Sequence, residues 1–307
     1  MRVAAACALI TSAGIASVAQ AAPDAAAREA ATLPRYDHVV IVMEENESDS
    51  RIYGDARAPY LNGLKDGGVY FTQSYAVTHP SQPNYLALFS GATQGVDDDS
   101  CPHTFSAADL GSQLRGVGLS FAGYAEGLPQ AGASDCHAGK YARKHAPWAN
   151  FSALPAATNL AYSAFPSDFD KLPTVSFVIP DLCNDMHNCG PAAGDSWLRK
   201  NIDAYAQWAR THNSLLIVTW DEDDRSRRDN RIATILYGAH LKNGATAQKI
   251  THYSVLRTLE DMYALAPLGG ATSATPIADI WDAGAGVAKN ASVAASESSA
   301  QSAGASP

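Results

Sequence analysis

Four short apolar runs constrain this chain more than any other feature: His38 to Met43, Thr174 to Ile179, Ser214 to Trp220 and Ile232 to Tyr237. They are rich in β-branched residues and do not alternate with polar ones, the pattern of parallel strands covered on both faces. Helical patterns lie between them. Trp197 to Thr211 places Leu198, Ile202, Tyr205 and Ala209 on one face behind the capping candidate Asp195, and Val255, Leu256, Leu259 and Met262 repeat the spacing later. Two further strand candidates, Tyr70 to Val77 and Leu119 to Ala125, complete a β/α alternation. Its expected outcome is an α/β fold with a doubly wound, mostly parallel sheet. Glu126 to Pro173 carries Gly, Pro and aromatic residues without a clear period, so a long covering loop or small cap is expected there.

With 307 residues, 46% of them hydrophobic, the chain can build one large core, expected over residues 35–282. Met1-Arg2, an apolar run from Val3 to Val18 and then Ala19-Gln20-Ala21 follow the plan of a cleaved secretory signal over residues 1–21. The competing reading, an uncleaved anchor, is disfavoured by a short run rich in Ala and Ser with no charged stop-transfer flank. Residues 22–34 are expected to form a flexible segment and 283–307 a disordered Ala/Ser/Gly tail, because neither has the apolar periodicity of a core.

Cys7 lies in the signal, which leaves Cys101, Cys136, Cys183 and Cys189 for an exported protein, where disulfides persist. Three pairings are open. Cys183 and Cys189 bracket one short loop and Cys101 and Cys136 flank one stretch, which favours those two pairs. A zinc site is the rival reading, although the usual CxxC spacing is missing.

The net charge of −9 argues against nucleic-acid binding by bulk charge, so an anionic substrate must be held locally. Lys140, Arg143 and Lys144 form one candidate cluster; Arg225, Arg227, Arg228 and Arg231 form another. Either can equally be a solvated face.

Open α/β sheets bind ligands beyond the carboxyl ends of their strands, so the residues following each apolar run matter most. Glu44-Glu45-Asn46 follow the first; Asp181, Asp185 and His187 follow the second; Asp221, Glu222, Asp223 and Asp224 follow the third. Three acidic clusters at one sheet edge would repel one another unless a hard divalent cation sat among them. Acidic caps scattered around the rim would give the same spacing. In Thr78-His79-Pro80-Ser81-Gln82-Pro83-Asn84-Tyr85, Pro83 fits the first turn of a helix, with Ser81 at the N-terminus where unpaired N–H groups favour phosphate. A serine hydroxyl there needs a metal or a base to act as a nucleophile. Asn84 has the chemistry to donate to a phosphate oxygen. His145 and His187 are candidates to bind phosphate or protonate a leaving oxygen, and His252 opens a late helix.

Together these stretches carry a resemblance. HVVIVMEEN, APYLNGL, THPSQPNYLALFSG, SLLIVTWDEDD and THYSVLRTLEDMY resemble the bacterial phosphoesterase family of acid phosphatases and phosphocholine-type phospholipases C, within the alkaline-phosphatase-like superfamily. The resemblance spans Tyr36 to Trp281. It implies that Glu45, Asn46, Asp221 and Glu222 bind one divalent metal with Ser81, the nucleophile. It also implies that His145 and His187 lie near the phosphate and that Asp185 supports His187 or the metal. The expected activity is a secreted or periplasmic, bacterial acid phosphatase acting on phosphate monoesters through a phosphoserine, with phosphatidylinositol 3-phosphate among the substrates and peripheral contact with lipid surfaces. The Cys-x-Pro-x-Arg sulfatase signature is absent, and so is the long C-terminal extension of many phospholipase members, which favours monoesters. A phospholipase C-type phosphodiesterase and a non-catalytic metal- or partner-binding domain are the alternatives.

Overall fold

The computed structural model describes residues 33–282. The expected signal, most of the flexible N-terminal segment and the Ala/Ser/Gly tail lie outside the described residues. Leu33 already packs against the core and Pro34 is buried.

The centre is an eight-stranded sheet. In chain order its strands are β1 (His38–Glu44), β2 (Val69–Phe71), β3 (Phe121–Ala125), β4 (Asn159–Ala161), β5 (Val175–Ile179), β6 (Ser214–Trp220), β7 (Thr234–Gly238) and β8 (Gly244–Thr246). They are arranged β8-β2-β7-β6-β1-β5-β3-β4 across the sheet. Pairing is parallel from β6 through β1, β5 and β3 to β4, and β8 pairs parallel with β2. The fold is the expected α/β, mostly parallel and doubly wound.

Side-chain alternation on β1 divides the core. Val39, Ile41 and Met43 point to one face with Leu86 and Phe89 of α2 (Ser81–Ser90), Leu110 and Leu114 of α3 (Leu110–Gly116), and Val255 and Leu259 of α6 (His252–Met262). Val40 and Val42 point to the other, against Leu61 and Leu64 of α1 (Pro59–Gly67), Leu198 of α4 (Pro191–Asn201) and Tyr205 of α5 (Asp203–Ala209). Burial on both faces explains why these strands read as continuous apolar runs. All ten residues of α2 are buried, which suits a helix apolar around most of its circumference. It ends at Gly91, whose φ of 72° supplies the left-handed cap that a side chain would resist.

Several expectations need correction. The run Ile232 to Tyr237 is a strand over Thr234–Gly238, but it pairs antiparallel with both neighbours. The link from β6 contains no helix, and without a crossover the chain can only double back. Tyr70 to Val77 divides into β2 and a separate two-residue strand, Ser74–Tyr75, paired with Ile250–Thr251. The helix expected over Trp197 to Thr211 is two helices, α4 and α5, meeting at Ile202. Asp195 lies inside α4 rather than at its cap, and its carboxylate accepts the Tyr60 and Leu61 N–H groups, capping α1. The covering segment Glu126 to Pro173 is built of short 3-10 turns, yet it also contributes β4 to the sheet edge. At Gly123 of β3 the indole of Trp148 lies where a Cβ would stand, which holds this cap tightly against the sheet.

Disulfides join Cys101 to Cys136 and Cys183 to Cys189, the favoured pairing. Among the described residues no helix is long and apolar enough to cross a membrane.

Candidate active site

Glu44 and Trp220 are register partners at the carboxyl ends of β1 and β6, so the chain leaves both strands side by side. Two backbone bonds fix that edge: Asp221 N–H donates to Glu44 O at 3.0 Å, and Glu45 N–H donates to Asp185 O at 2.7 Å. Residues from three strand ends therefore meet around β1. Strand alternation separates the two glutamates. Glu45 continues the face of Met43 toward α2, whereas Glu44 lies on the opposite face near Met186 and Gly194, fully buried with neither oxygen hydrogen-bonded. Burial, with the Asp195 and Glu126 charges adding to it, pushes the Glu44 pKa well up.

Helix α2 delivers Ser81 and Tyr85 one turn apart on the face that meets Glu45. Ser81 Oγ donates to Glu45 Oε2 at 3.0 Å and Tyr85 Oη donates to Glu45 Oε1 at 2.5 Å. The Asn46 amide also donates to Glu45 Oε2, at 3.0 Å, and its backbone N–H donates to Asp221 Oδ1 at 3.1 Å. Asn46 takes φ of 55°, a left-handed conformation that asparagine tolerates better than most residues and that turns the chain across the site. Ser81, Glu45, Asn46 and Asp221 thus form one contiguous cluster.

Its electrostatics are unusual. Burial and then the Asp185 charge push the Glu45 pKa well up; burial and then Glu45 do the same to Asp221. Asp221 Oδ2 and Asp185 Oδ2 are buried without hydrogen-bond partners. Orphaned carboxylate oxygens beside a hydroxyl and an amide are a donor set that suits a hard divalent cation. Among the described residues no three His, Cys, Asp or Glu side chains form a ready metal cage. This cluster has two carboxylates, with Ser81 and Asn46 as its other donors, and the fifth expected ligand, Glu222, is engaged by His79 Nδ1 at 2.5 Å.

His145 lies behind Glu45. Its Nε2 is 3.1 Å from Glu45 Oε1 and its Nδ1 3.4 Å from Asp185 Oδ2, and its ring stacks on Tyr85 with centroids 4.9 Å apart. The Nε2 contact is close but lacks hydrogen-bond alignment. Burial, assisted by the Lys144, His187 and His137 charges, lowers its pKa well below the usual range and so favours the neutral imidazole. His187 is exposed at the rim, 6.3 Å ring to ring from His145, and Asp185 Oδ1 accepts the His187 N–H at 2.9 Å.

The basic cluster separates. Lys144 reaches the site and pairs with Asp99 at 2.7 Å. Burial works against its charge, but Asp99, Glu45 and Asp221 more than offset this and raise its pKa. Arg143 is buried and donates to the carbonyls of Ser134, His103 and Ala149, stapling the cap, while Lys140 is exposed. Asn84 is fully buried with its amide committed to the preceding turn: Oδ1 accepts from Val77 and Thr78 N–H, and Nδ2 donates to Thr78 and Pro80 carbonyls. In this arrangement it has no donor free for a phosphate, and its work is to hold the segment leading into Ser81.

Three residues here escaped the sequence reading. Tyr85 was legible as the position four after Ser81. His79 had the weaker signal of standing two residues before it. Asp99, in the run Asp97-Asp98-Asp99, had none.

Residues 52–266 match the Phosphoesterase family, a span that takes in Ser81 and Asp221 and begins just after Asn46. The chain belongs to this family. It is 52% identical to the phosphatidylinositol-3-phosphatase of Mycobacterium tuberculosis over 82% of this chain and 85% of that protein. It is 30% identical to an acid phosphatase of Aspergillus fumigatus over 76% of this chain, which spans 55% of that longer protein. Among solved structures it resembles an alkaline phosphatase superfamily protein from Vibrio parahaemolyticus, with a TM-score of 0.56, 14% identity and coverage of 81% of this chain and 72% of that one. It also resembles the lipoteichoic acid synthase LtaP of Listeria monocytogenes, with a TM-score of 0.53, 11% identity and coverage of 75% and 72%. At those identities the two structures establish the alkaline-phosphatase-like fold alone. Within its family this chain is an enzyme, a phosphoric monoester hydrolase.

Proposed function

We propose that the chain is a secreted or periplasmic, metal-dependent bacterial phosphatase that acts through a phosphoserine at Ser81, with phosphatidylinositol 3-phosphate among its substrates. The observation carrying this reading is the hydroxyl of Ser81 at the start of α2, 3.0 Å from Glu45 and within a cluster where Asp221 keeps a buried, unpartnered oxygen. Glu45, Asn46 and Asp221 would hold one divalent cation with Ser81, and Glu222 would join them by releasing His79. Such an ion supplies neutralising charge for the phosphate and lowers the pKa of the serine hydroxyl.

The chain's own groups do the rest. Ser81 Oγ gives up its proton to solvent and attacks phosphorus, forming the Oγ–P bond as the bond to the leaving oxygen breaks. His187, at the rim, donates the proton that the leaving oxygen needs. Water then attacks the phosphoserine and passes a proton to His187, the Oγ–P bond breaks to release inorganic phosphate, and Ser81 Oγ regains a proton from solvent. His145, stacked on Tyr85, packs behind Glu45, and its Nδ1 faces Asp185 Oδ2. The phosphoinositide substrate is supported by the name of the 52% identical relative, and lipid-surface contact follows from such a substrate. Export is supported by the two disulfides.

The test is phosphate release from an aryl phosphate and from phosphatidylinositol 3-phosphate, by wild type and Ser81→Ala, with and without a chelator. Release that both the substitution and the chelator abolish supports the reading. No release from either substrate with divalent metal restored overturns it, and diacylglycerol release would favour a diesterase.

A further inference from the structure

The nucleophile's own helix already carries an anion. Asp99 Oδ1 accepts the backbone N–H of Gln82, the residue after Ser81, at 3.0 Å, and Asp99 Oδ2 accepts from the Lys144 ammonium at 2.7 Å. Those donors are scarce. Pro80 and Pro83 have no N–H, so the first turn of α2 offers only Ser81 and Gln82 N–H groups to a ligand. Lys144 is the one member of the basic cluster whose charge is directed into the site, and its side chain is only 13% exposed. Beside this pair sit the nucleophile and the unpartnered Asp221 Oδ2.

A phosphoryl group attacked by Ser81 carries peripheral oxygens that need donors next to the nucleophile. Gln82 N–H and Lys144 are donors of the right kind, and a carboxylate bridging them makes the contacts that two phosphate oxygens would make. We propose that Gln82 N–H and Lys144 form the phosphate clamp of this enzyme, and that Asp99 is an internal competitor that fills the clamp until substrate displaces it. This rests on the reading of Ser81 as the nucleophile. Asp99 is placed to leave: its side chain is 33% exposed, its neighbours Asp97, Asp98 and Ser100 are exposed, and the loop is tethered just beyond it by the Cys101–Cys136 bridge. Asp98 organises the turn by accepting from Ser100, so Asp99 is not needed to hold the loop's shape.

Displacement precedes chemistry, so it weakens apparent binding of substrate and product by the same factor. Asp99→Asn is expected to lower KM for an aryl phosphate and Ki for inorganic phosphate together, by about 3–10-fold, with the change falling on these rather than on kcat. Lys144→Met is expected to raise both, and in the Asp99→Asn/Lys144→Met double variant most of the Asp99 effect disappears. Asp99→Ser, which removes the bridging carboxylate altogether, serves as a second variant. In wild type, titration with inorganic phosphate should shift the backbone amide resonance of Gln82. A carboxylate that merely positions Lys144 predicts the reverse, with KM and Ki rising in Asp99→Asn, and that result overturns the proposal. Unchanged KM and Ki, or a Gln82 amide indifferent to phosphate, overturn it as well. Each of these requires an active wild type; if wild type releases no phosphate, it is the phosphatase reading that has failed.

Discussion

Tyr85 donates its hydroxyl to Glu45 from one turn beyond Ser81, so a single helix sets both the nucleophile and the orientation of the carboxylate that receives its hydrogen bond. The bond is buried and ends on a carboxyl group, a setting in which hydrogen bonds contribute about 1.5–3 kcal/mol. Tyr85→Phe keeps the ring that stacks on His145 and removes only the donor. Its kcat/KM is expected to fall by roughly 10- to 100-fold, with folding retained. Steady-state kinetics together with a thermal melt check this, and an unchanged kcat/KM would mean that Glu45 is held well enough without Tyr85.

Helix α6 carries two buried groups whose titrations oppose each other. Burial lowers the His252 pKa to about 4, although its Nε2 donates to Trp220 O at 2.9 Å. Between pH 6.5 and 4 the unfolded chain binds a proton there that the folded chain refuses, so stability is lost as pH falls, by roughly 3 kcal/mol. Burial raises the Glu260 pKa to about 7, opposed by the Leu268 N–H and by Arg257 and reinforced by Asp261. The folded chain then binds the extra proton, so its contribution is lost as pH rises from 4.5 to 7, by roughly 1–2 kcal/mol once screening by solvent and Arg257 is allowed for. Urea denaturation across pH 4 to 7 should show His252→Gln losing less stability than wild type toward pH 4, and Glu260→Gln losing less toward pH 7. Parallel profiles for all three proteins would contradict this.

The two disulfides differ in what they close. Cys101–Cys136 spans 35 residues of sequence and Cys183–Cys189 spans 6. On chain-entropy grounds they stabilise by about 4 and about 2 kcal/mol. Replacing both cysteines of the first pair with serine should lower the melting temperature more than the same change in the second. Equal losses would show that native-state packing, rather than loop closure, dominates.

What the sequence disclosed followed from local pattern. Val39 to Met43 and Leu215 to Trp220 are buried on both faces and read as strands without ambiguity, and the acidic residues just beyond them do converge around β1. Features that depend on a distant partner stayed hidden. β7 has the composition of a parallel strand, and only the helix-free link before it makes it antiparallel. Asp195 looks like a cap for its own helix, but its carboxylate reaches Tyr60 and Leu61 N–H across the interface with α1. Lys140, Arg143 and Lys144 look equivalent in sequence, whereas the cap's turns send one to solvent, one to backbone carbonyls and one to the site.

Covalent catalysis at Ser81 is tested most directly by acid quenching of the enzyme during turnover of a phosphomonoester, followed by peptide mapping. Phosphoserine at Ser81 is expected in wild type and none in Ser81→Ala. Continued phosphate release by wild type with no phosphoserine, or with the phosphoryl group on any other residue, would contradict it.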